Sequence, residues 1–118
     1  MMNQLFEDSF FNIAALVGGI FVVAGFIMLK FPPKKINFLY GYRTSASMKN
    51  QDQWDFAQKY AAKEMMLTGL VLATSGLLTL ITDFATSVKL LVGLAMVGLA
   101  VIVLLVRVEK AIKKRFPV

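Results

Sequence analysis

The hydrophobic pattern of the chain is dominated by three long stretches that carry no charged residue. They run from Ser9 to Leu29, from Met65 to Thr82 and from Leu90 to Val106. An α-helix rises about 1.5 Å per residue, so about 20 residues cross the hydrocarbon core of a bilayer, which is about 30 Å thick. A charged side chain at the centre of such a helix costs about 3 kcal/mol. The pattern therefore predicts an all-α membrane protein with three transmembrane helices.

The segments around these stretches complete a single membrane domain over residues 1–118. Phe31, Pro32 and Pro33 should end the first helix, because proline has no amide hydrogen and the residue before it disfavours helical angles. Asn50 suits an N-cap, and from there an interfacial or cytoplasmic helix should extend straight into the second span. The predicted parts are spans at about 10–29, 65–82 and 89–106, a cytoplasmic loop with its helix at about 30–64, and a basic tail at 107–118.

The basic residues are concentrated on one side of this predicted arrangement. The chain has 13 lysines and arginines against 7 acidic residues, and all the basic residues except Lys89 lie in the first loop or in the tail. With three spans these two segments share one side, which the positive-inside rule makes cytoplasmic. The N-terminus, with Glu7 and Asp8, and the turn at 83–89 then face outward. The charge predicts contact with anionic lipid headgroups at the basic loop and tail, and no nucleic acid partner.

Residues suited to catalysis or metal binding are scarce. The sequence has no cysteine and no histidine, so it lacks thiolate nucleophiles and the commonest metal ligand. Carboxylates near the apolar stretches lie only at their ends, and no nucleophile–base pair is recognisable. We therefore expect no enzyme, no cofactor and no metal site.

Small residues recur at helical spacing within the spans. The pairs are Ala14/Gly18, Ala15/Gly19 and Gly69/Ala73. Such pairs permit close approach of helices, so they predict a packed bundle and allow a homo-oligomer. The hydroxyls in the second span can bond to carbonyls of their own helix, and they need not line a pore. An oligomeric small transporter or channel, or an accessory subunit of a membrane complex, stays open as an alternative function.

The most specific pattern lies in the loop and helix between the first two spans. It consists of Tyr40-Gly41-Tyr42-Arg43-Thr44, then Trp54, then Lys63. A Gly-x-Arg-Thr element followed at these distances by a tryptophan and a lysine resembles the SdpI family of bacterial membrane proteins, over roughly residues 10–110. Members of that family often carry a histidine four residues after the tryptophan, and here that position is Gln58. No histidine-based or pH-dependent role is therefore expected.

The resemblance implies a function in binding at a bacterial cytoplasmic (inner) membrane. The family's named member, which has about twice as many spans, protects cells against a secreted killing peptide and recruits a cytoplasmic repressor to the membrane. Immunity to a peptide toxin, signal transduction, or both are thus implied, with a toxin or a cytoplasmic regulator as partner. The candidate partner-binding residues are Tyr42, Arg43, Thr44, Trp54, Gln58 and Lys63, with Gly41 as a structural turn.

The chemistry of these residues leaves two interpretations open. Arg43 can hold a carboxylate or phosphate with two parallel hydrogen bonds, and Asp52 and Asp55 are candidate partners within the chain. Arg43 then either pins the loop to the helix while Trp54 anchors the helix at the bilayer edge, or the two residues anchor a docking surface for a partner. Lys63 either snorkels to lipid phosphates or contacts a ligand.

Overall fold

The computed structural model describes residues 13–78 and 85–117 of the chain. Within these ranges the chain forms α1 (Ile13–Lys30), α2 (Gln51–Leu78) and α3 (Thr86–Arg115), and no strand. The prediction of an all-α protein is confirmed for this part of the chain. The expectations for the N-terminal acids, for residues 10–12 of the first span, for residues 79–82 of the second span and for residues 83–84 of the following turn lie outside the described residues.

The helix boundaries follow local signals in the sequence. α1 ends at Lys30, where the two prolines that follow prevent continuation. α2 begins directly after Asn50, whose side-chain Oδ1 accepts a hydrogen bond from the backbone N–H of Gln53 at 2.8 Å. The predicted N-cap is therefore present, and α2 continues without a break through the junction between its polar and apolar halves.

α3 is longer at both ends than its apolar core. It begins at Thr86, so the expected turn at 83–89 was too long at its C-terminal end, and Lys89 lies in the first helical turn. The backbone N–H of Lys89 donates to the Ala85 carbonyl at 3.0 Å, and its side chain is largely covered. The predicted turn ran to Lys89 because this lysine interrupts the apolar pattern. A lysine does not interrupt a helix, which explains the error. At the other end the helix includes most of the basic tail.

Two of these helices are long and apolar enough to cross a membrane by length and composition. They are α1 and the stretch Ser87–Arg115 of α3. Their outward faces carry many large apolar side chains that are about half exposed or more, among them Leu16, Ile20, Leu91 and Ile102. Exposed apolar surface of this extent is unusual in a soluble monomer and is expected where lipid covers a protein.

α1 and α2 pack antiparallel at very short range through small residues. A Cβ added at Gly18 would lie 2.5 Å from the backbone N of Ala73 and from the backbone O of Gly69. A Cβ at Gly25, further along α1, would lie 2.6 Å from the Ala62 carbonyl. The predicted small-residue contacts of Gly18 and Gly69 are therefore made within the chain, while Gly19 faces open space.

α3 packs against the other face of α2 through a small apolar cluster. The buried members are Ala57, Ala61, Leu104, Val108 and Ile112. Beyond this cluster the two helices are joined by an ion pair, in which Arg107 Nε and Nη2 donate to the two carboxylate oxygens of Glu64 at 2.8 and 3.0 Å. These contacts place the basic end of α3 beside the polar half of α2.

The contrast between Gly18 and Gly19 gives a matched test of this packing. Gly18→Ala should destabilise the protein by about 1–3 kcal/mol, because the added methyl group meets backbone atoms that cannot move separately. Gly19→Ala should be neutral or stabilise by up to about 1 kcal/mol, since alanine is the better helix former and the space is open. Unfolding in mixed detergent micelles, followed by circular dichroism, measures both. Equal stability of the two variants would contradict the close α1–α2 contact.

Candidate functional site

The loop at 31–50 folds back over the polar half of α2, and side chains of α2 hold it there. Four of them donate hydrogen bonds to loop carbonyls: Gln51 to Lys34 at 2.6 Å, Gln53 to Ala46 at 2.8 Å, Trp54 to Pro33 at 2.6 Å, and Gln58 to Tyr42 at 2.7 Å. We call these four bonds the loop clamp. Two of the donors, Trp54 and Gln58, were candidate partner-binding residues, and both bind the loop of their own chain.

Trp54 is a core residue of this clamp. Its ring is 0% exposed, and Nε1 donates to the carbonyl of Pro33. Both sequence-based interpretations of Trp54 were wrong, because a side chain without exposed surface neither touches the bilayer edge nor docks a partner. Trp54 instead packs the start of the loop onto α2. Its apolar ring is buried there, and its N–H finds its partner within the protein.

Gln58 forms a two-way bridge to the loop at the Gly-x-Arg-Thr element. Its Oε1 accepts from the Tyr42 backbone N–H at 2.7 Å, while its Nε2 donates to the Tyr42 carbonyl at the same distance. Gly41 makes this approach possible, since its φ is +111° and an added Cβ would lie 2.6 Å from Gln58 Oε1. The predicted structural turn at Gly41 is therefore a turn that only glycine fits well.

A compact turn follows, organised by a residue that the sequence reading overlooked. Ser47 is fully buried, and its Oγ accepts from the Thr44 N–H at 2.8 Å and lies 3.0 Å from the Thr44 carbonyl and 3.1 Å from the Tyr42 carbonyl. Thr44 Oγ1 in turn accepts from the Ser47 N–H at 3.2 Å. The spacing Thr-x-x-Ser is the available signal for this reciprocal arrangement.

Arg43 points away from the clamp and does not reach the carboxylates expected to bind it. Its guanidinium donates to the carbonyl of Phe38, and no ion pair with Asp52 or Asp55 occurs among the described residues. Asp55 accepts from Gln51 at 2.7 Å instead. The Arg43 side chain thus bonds within its own loop and stays exposed, and the candidate partners Asp52 and Asp55 are not the groups that it binds.

The segment that Arg43 contacts is an exposed apolar loop tip, formed by Phe38, Leu39 and Tyr40. Phe38 is 81% and Leu39 94% exposed. The tip is nevertheless ordered, because Asn37 Oδ1 accepts from the N–H groups of Leu39 and Tyr40 at 2.9 and 2.7 Å. Tyr40 Oη also donates to the Phe31 carbonyl at 2.7 Å. Large apolar side chains held outward by backbone hydrogen bonds form a preorganised surface.

On its inner side the loop meets α3 through Tyr42. The Tyr42 ring packs against the α2–α3 cluster, and Tyr42 Oη and Glu109 Oε2 are buried oxygens without a hydrogen-bond partner among the described residues. Burial, and then the negative charge of Glu109, raise the pKa of the Tyr42 phenol to about 12, while Thr44 acts in the opposite direction. Glu109 was not among the candidate residues.

The remaining candidate, Lys63, lies on α2 beyond the loop and is exposed. It makes no hydrogen bond or ion pair within the described ranges, so the structure does not bring it together with Arg43 or Trp54. No group of histidine, cysteine, aspartate and glutamate suited to a metal ion occurs there either. The site is therefore an ordered surface for contact, built from a buried polar clamp and an exposed tip.

Removal of the Gln58 bridge tests the clamp. Gln58→Leu keeps a side chain of similar size but leaves the Tyr42 N–H without its partner. We therefore expect a loss of about 1–3 kcal/mol in the free energy of unfolding. Lys59→Leu, at the exposed neighbouring position, is the control and should change stability little. Chemical unfolding in detergent micelles compares them. A Gln58→Leu protein as stable as the control would show that the bridge does not hold the loop.

The environment of Tyr42 predicts a loss of stability at alkaline pH. The pKa of the phenol in the folded protein lies above its ordinary value of 10.0, so the stability it contributes is complete below pH 10 and lost as the pH rises toward about 12. Tyr42→Phe should remove this alkaline loss and cost about 1 kcal/mol or less at neutral pH, because the contact with Thr44 is the side-chain interaction that the hydroxyl would lose. The test is the free energy of unfolding across that pH range, measured for the unaltered protein, for Tyr42→Phe and for the control Tyr40→Phe. The same alkaline loss in Tyr42→Phe would contradict the assignment.

Comparison with known proteins places this loop and its helices in a family. The family model for the SdpI/YfhL protein family matches residues 34–107, which contain most of the loop, all of α2 and the apolar part of α3. The uncharacterized protein YfhL of Bacillus subtilis (strain 168) is 51% identical over 61 residues, a match that covers 52% of this chain and 56% of that protein, so only about half of that relative is matched. No solved structure matches the chain. The family match extends over more than half of the sequence and, with the apolar helices, indicates a membrane protein: the chain belongs to the SdpI/YfhL protein family.

Proposed function

We propose that this chain is an SdpI-like integral membrane protein that binds a protein or peptide partner at the membrane surface, and so confers immunity to a secreted antimicrobial peptide or transduces a signal. Family membership supports the general class. The observation that carries the binding function is the loop tip at 38–40, an ordered and exposed apolar surface beside the cation of Arg43. A surface of this kind suits recognition better than catalysis.

The proposal includes three membrane crossings. The apolar half of α2 lies directly against α1, since Gly69 and Ala73 contact Gly18 in the middle of the α1 span. If α1 crosses the bilayer, this half of α2 occupies the same layer. Its outward side chains fit that environment, because Leu67, Leu70 and Val71 are all more than half exposed and apolar. The bundle would thus present lipid-facing surface on all three helices.

The proposed orientation in a bacterial inner membrane has the N-terminus outside and the C-terminus inside. Its support is the charge distribution, because the segment 30–64 and the end of α3 hold 12 of the 13 basic residues, with Lys89 on the opposite side. The loop tip and Arg43 would then face the cytoplasm. The partner at this surface would be a cytoplasmic protein that offers a carboxylate beside apolar side chains.

We propose two roles for these residues at the surface. Arg43 and the loop tip are the contact residues, since they are exposed and linked to each other by the Arg43–Phe38 hydrogen bond. Tyr42, Thr44 and Gln58 position them from behind through the clamp. Preorganisation of this kind lowers the entropy lost on binding, so a small surface can still bind a partner with useful affinity.

Site-specific photo-crosslinking tests the proposed surface directly. A photoreactive amino acid at Leu39, the most exposed apolar side chain of the tip, should give a discrete protein adduct in the native host, identified by mass spectrometry. The same probe at Leu94, on the lipid-facing side of α3, is the control and should give lipid adducts. Lipid adducts alone at Leu39 would show that the tip anchors the loop in the headgroup layer and binds no protein.

Arg43→Ala tests whether the cation contributes to recognition. The variant should reach the membrane in normal amounts but lose the Leu39 adduct and reduce partner affinity or toxin protection about tenfold or more, as expected for an interface arginine. Lys59→Ala removes an exposed positive charge from α2 and should retain both activities. Unchanged protection and crosslinking in Arg43→Ala, at equal accumulation, would exclude Arg43 from the function.

A further inference from the structure

A second surface, on the opposite side of α2 from the α1 contact, consists of two adjoining cavities between α2 and α3. The first is an apolar cleft of about 380 Å³, which we call the acyl cleft. Its lining includes Leu67, Val71, Met96, Leu99 and Val103. On α2 the cleft extends over residues 64–75, a length of about 16 Å at 1.5 Å per residue, which matches the roughly 15 Å thickness of one bilayer leaflet.

The second cavity, of about 610 Å³, adjoins the first at the basic end of α3, and we call it the headgroup cavity. Arg107, Lys110 and Lys114 line it from one face of α3, as their spacing of three and four residues requires. Phe56 and Tyr60 on α2 form the facing wall, with ring centroids 5.7 Å apart. No acidic side chain lines this cavity, so its field is positive.

Arg107 lines both cavities and is fixed at their junction. Its guanidinium binds Glu64 through two hydrogen bonds, yet its side chain remains 53% exposed while that of Glu64 is only 10% exposed. The carboxylate therefore orients Arg107 and offsets one positive charge. Lys110, Lys114 and Arg115 remain for an anionic ligand, and all three are exposed.

The geometry points to one anionic phospholipid bound per chain, with its phosphate in the headgroup cavity and an acyl chain in the acyl cleft. The apolar cleft beside a cationic cavity complements the two parts of such a lipid. A peptide helix, about 10 Å wide, would have to separate α2 from α3. The Glu64–Arg107 pair and the apolar cluster at Ala57 and Leu104 hold these helices together, so a flexible acyl chain is the occupant that fits.

Lipid retention measured by native mass spectrometry tests this site. The delipidated protein in a mild detergent is offered phosphatidylglycerol or phosphatidylcholine with identical acyl chains. Phosphatidylglycerol should be retained as a single adduct and phosphatidylcholine should not. Lys110→Gln with Lys114→Gln should lower retention about tenfold or more. Lys34→Gln with Lys35→Gln removes the same charge from the exposed loop and should leave retention unchanged.

The acyl part of the site has its own matched pair of variants. Ala100→Phe fills the acyl cleft and should displace the lipid, whereas Ala24→Phe alters an outward groove on α1 and should not. Lys110→Arg with Lys114→Arg, which keeps the charge, should retain the lipid and so ties the loss in the glutamine variant to the removed positive charges. Arg43→Ala should also retain it, so failure of partner docking and failure of this site are distinguishable.

Three results would overturn the proposal. Equal loss in the two lysine-to-glutamine pairs would indicate only a diffuse surface charge effect. Equal retention of the two lipids would exclude a headgroup site. Thermal stabilisation is the third readout. If inorganic phosphate alone stabilised the protein as much as phosphatidylglycerol does, and also stabilised Ala100→Phe, the site would bind an anion without an acyl chain.

Discussion

A loop without secondary structure, next to an apolar layer, must satisfy its backbone polar groups within the protein or with water. An unpaired carbonyl there costs up to several kcal/mol. In this chain α2 supplies the donors, since Gln51, Gln53, Trp54 and Gln58 each reach a loop carbonyl. The clamp fastens the loop on both sides of the exposed tip, at Lys34 and Pro33 before it and at Tyr42 and Ala46 after it.

The sequence could predict the helices because their signals are local. Apolar length, the prolines after Lys30 and the cap at Asn50 each act within a few residues, and all three correspond to helix features in the structure. The hydroxyls of Thr74 and Ser75 likewise bond to carbonyls of their own helix at 2.8 Å, as expected.

The roles of the site residues were harder to predict, since they depend on how distant segments meet. The pattern around Trp54 is compatible with a bilayer edge, a docking surface or a core, and only the folded loop above it selects the core. Asp52 and Asp55 lie within twelve residues of Arg43 in the sequence, but in the fold its guanidinium bonds to the Phe38 carbonyl. The spacing of these residues in the sequence therefore identified their positions but not the groups that they contact in the fold.

Gln58 holds the loop through an amide, a group that does not titrate. An amide offers a donor and an acceptor together at any physiological pH, which is what the Tyr42 backbone requires. This part of the loop clamp therefore does not depend on the protonation of the Gln58 side chain.

The loop clamp also has a consequence for the order of events during synthesis. The carbonyl of Pro33 can be bonded only after Trp54, 21 residues later in the chain, has been synthesised. The carbonyl of Tyr42 likewise requires Gln58, 16 residues later. At translation rates of about 5–20 residues per second, the first delay lasts about 1–4 s, far longer than helix formation itself. The whole of α1 is therefore synthesised before any side chain of the loop clamp, and the loop can be fastened only once the first turns of α2 have been made.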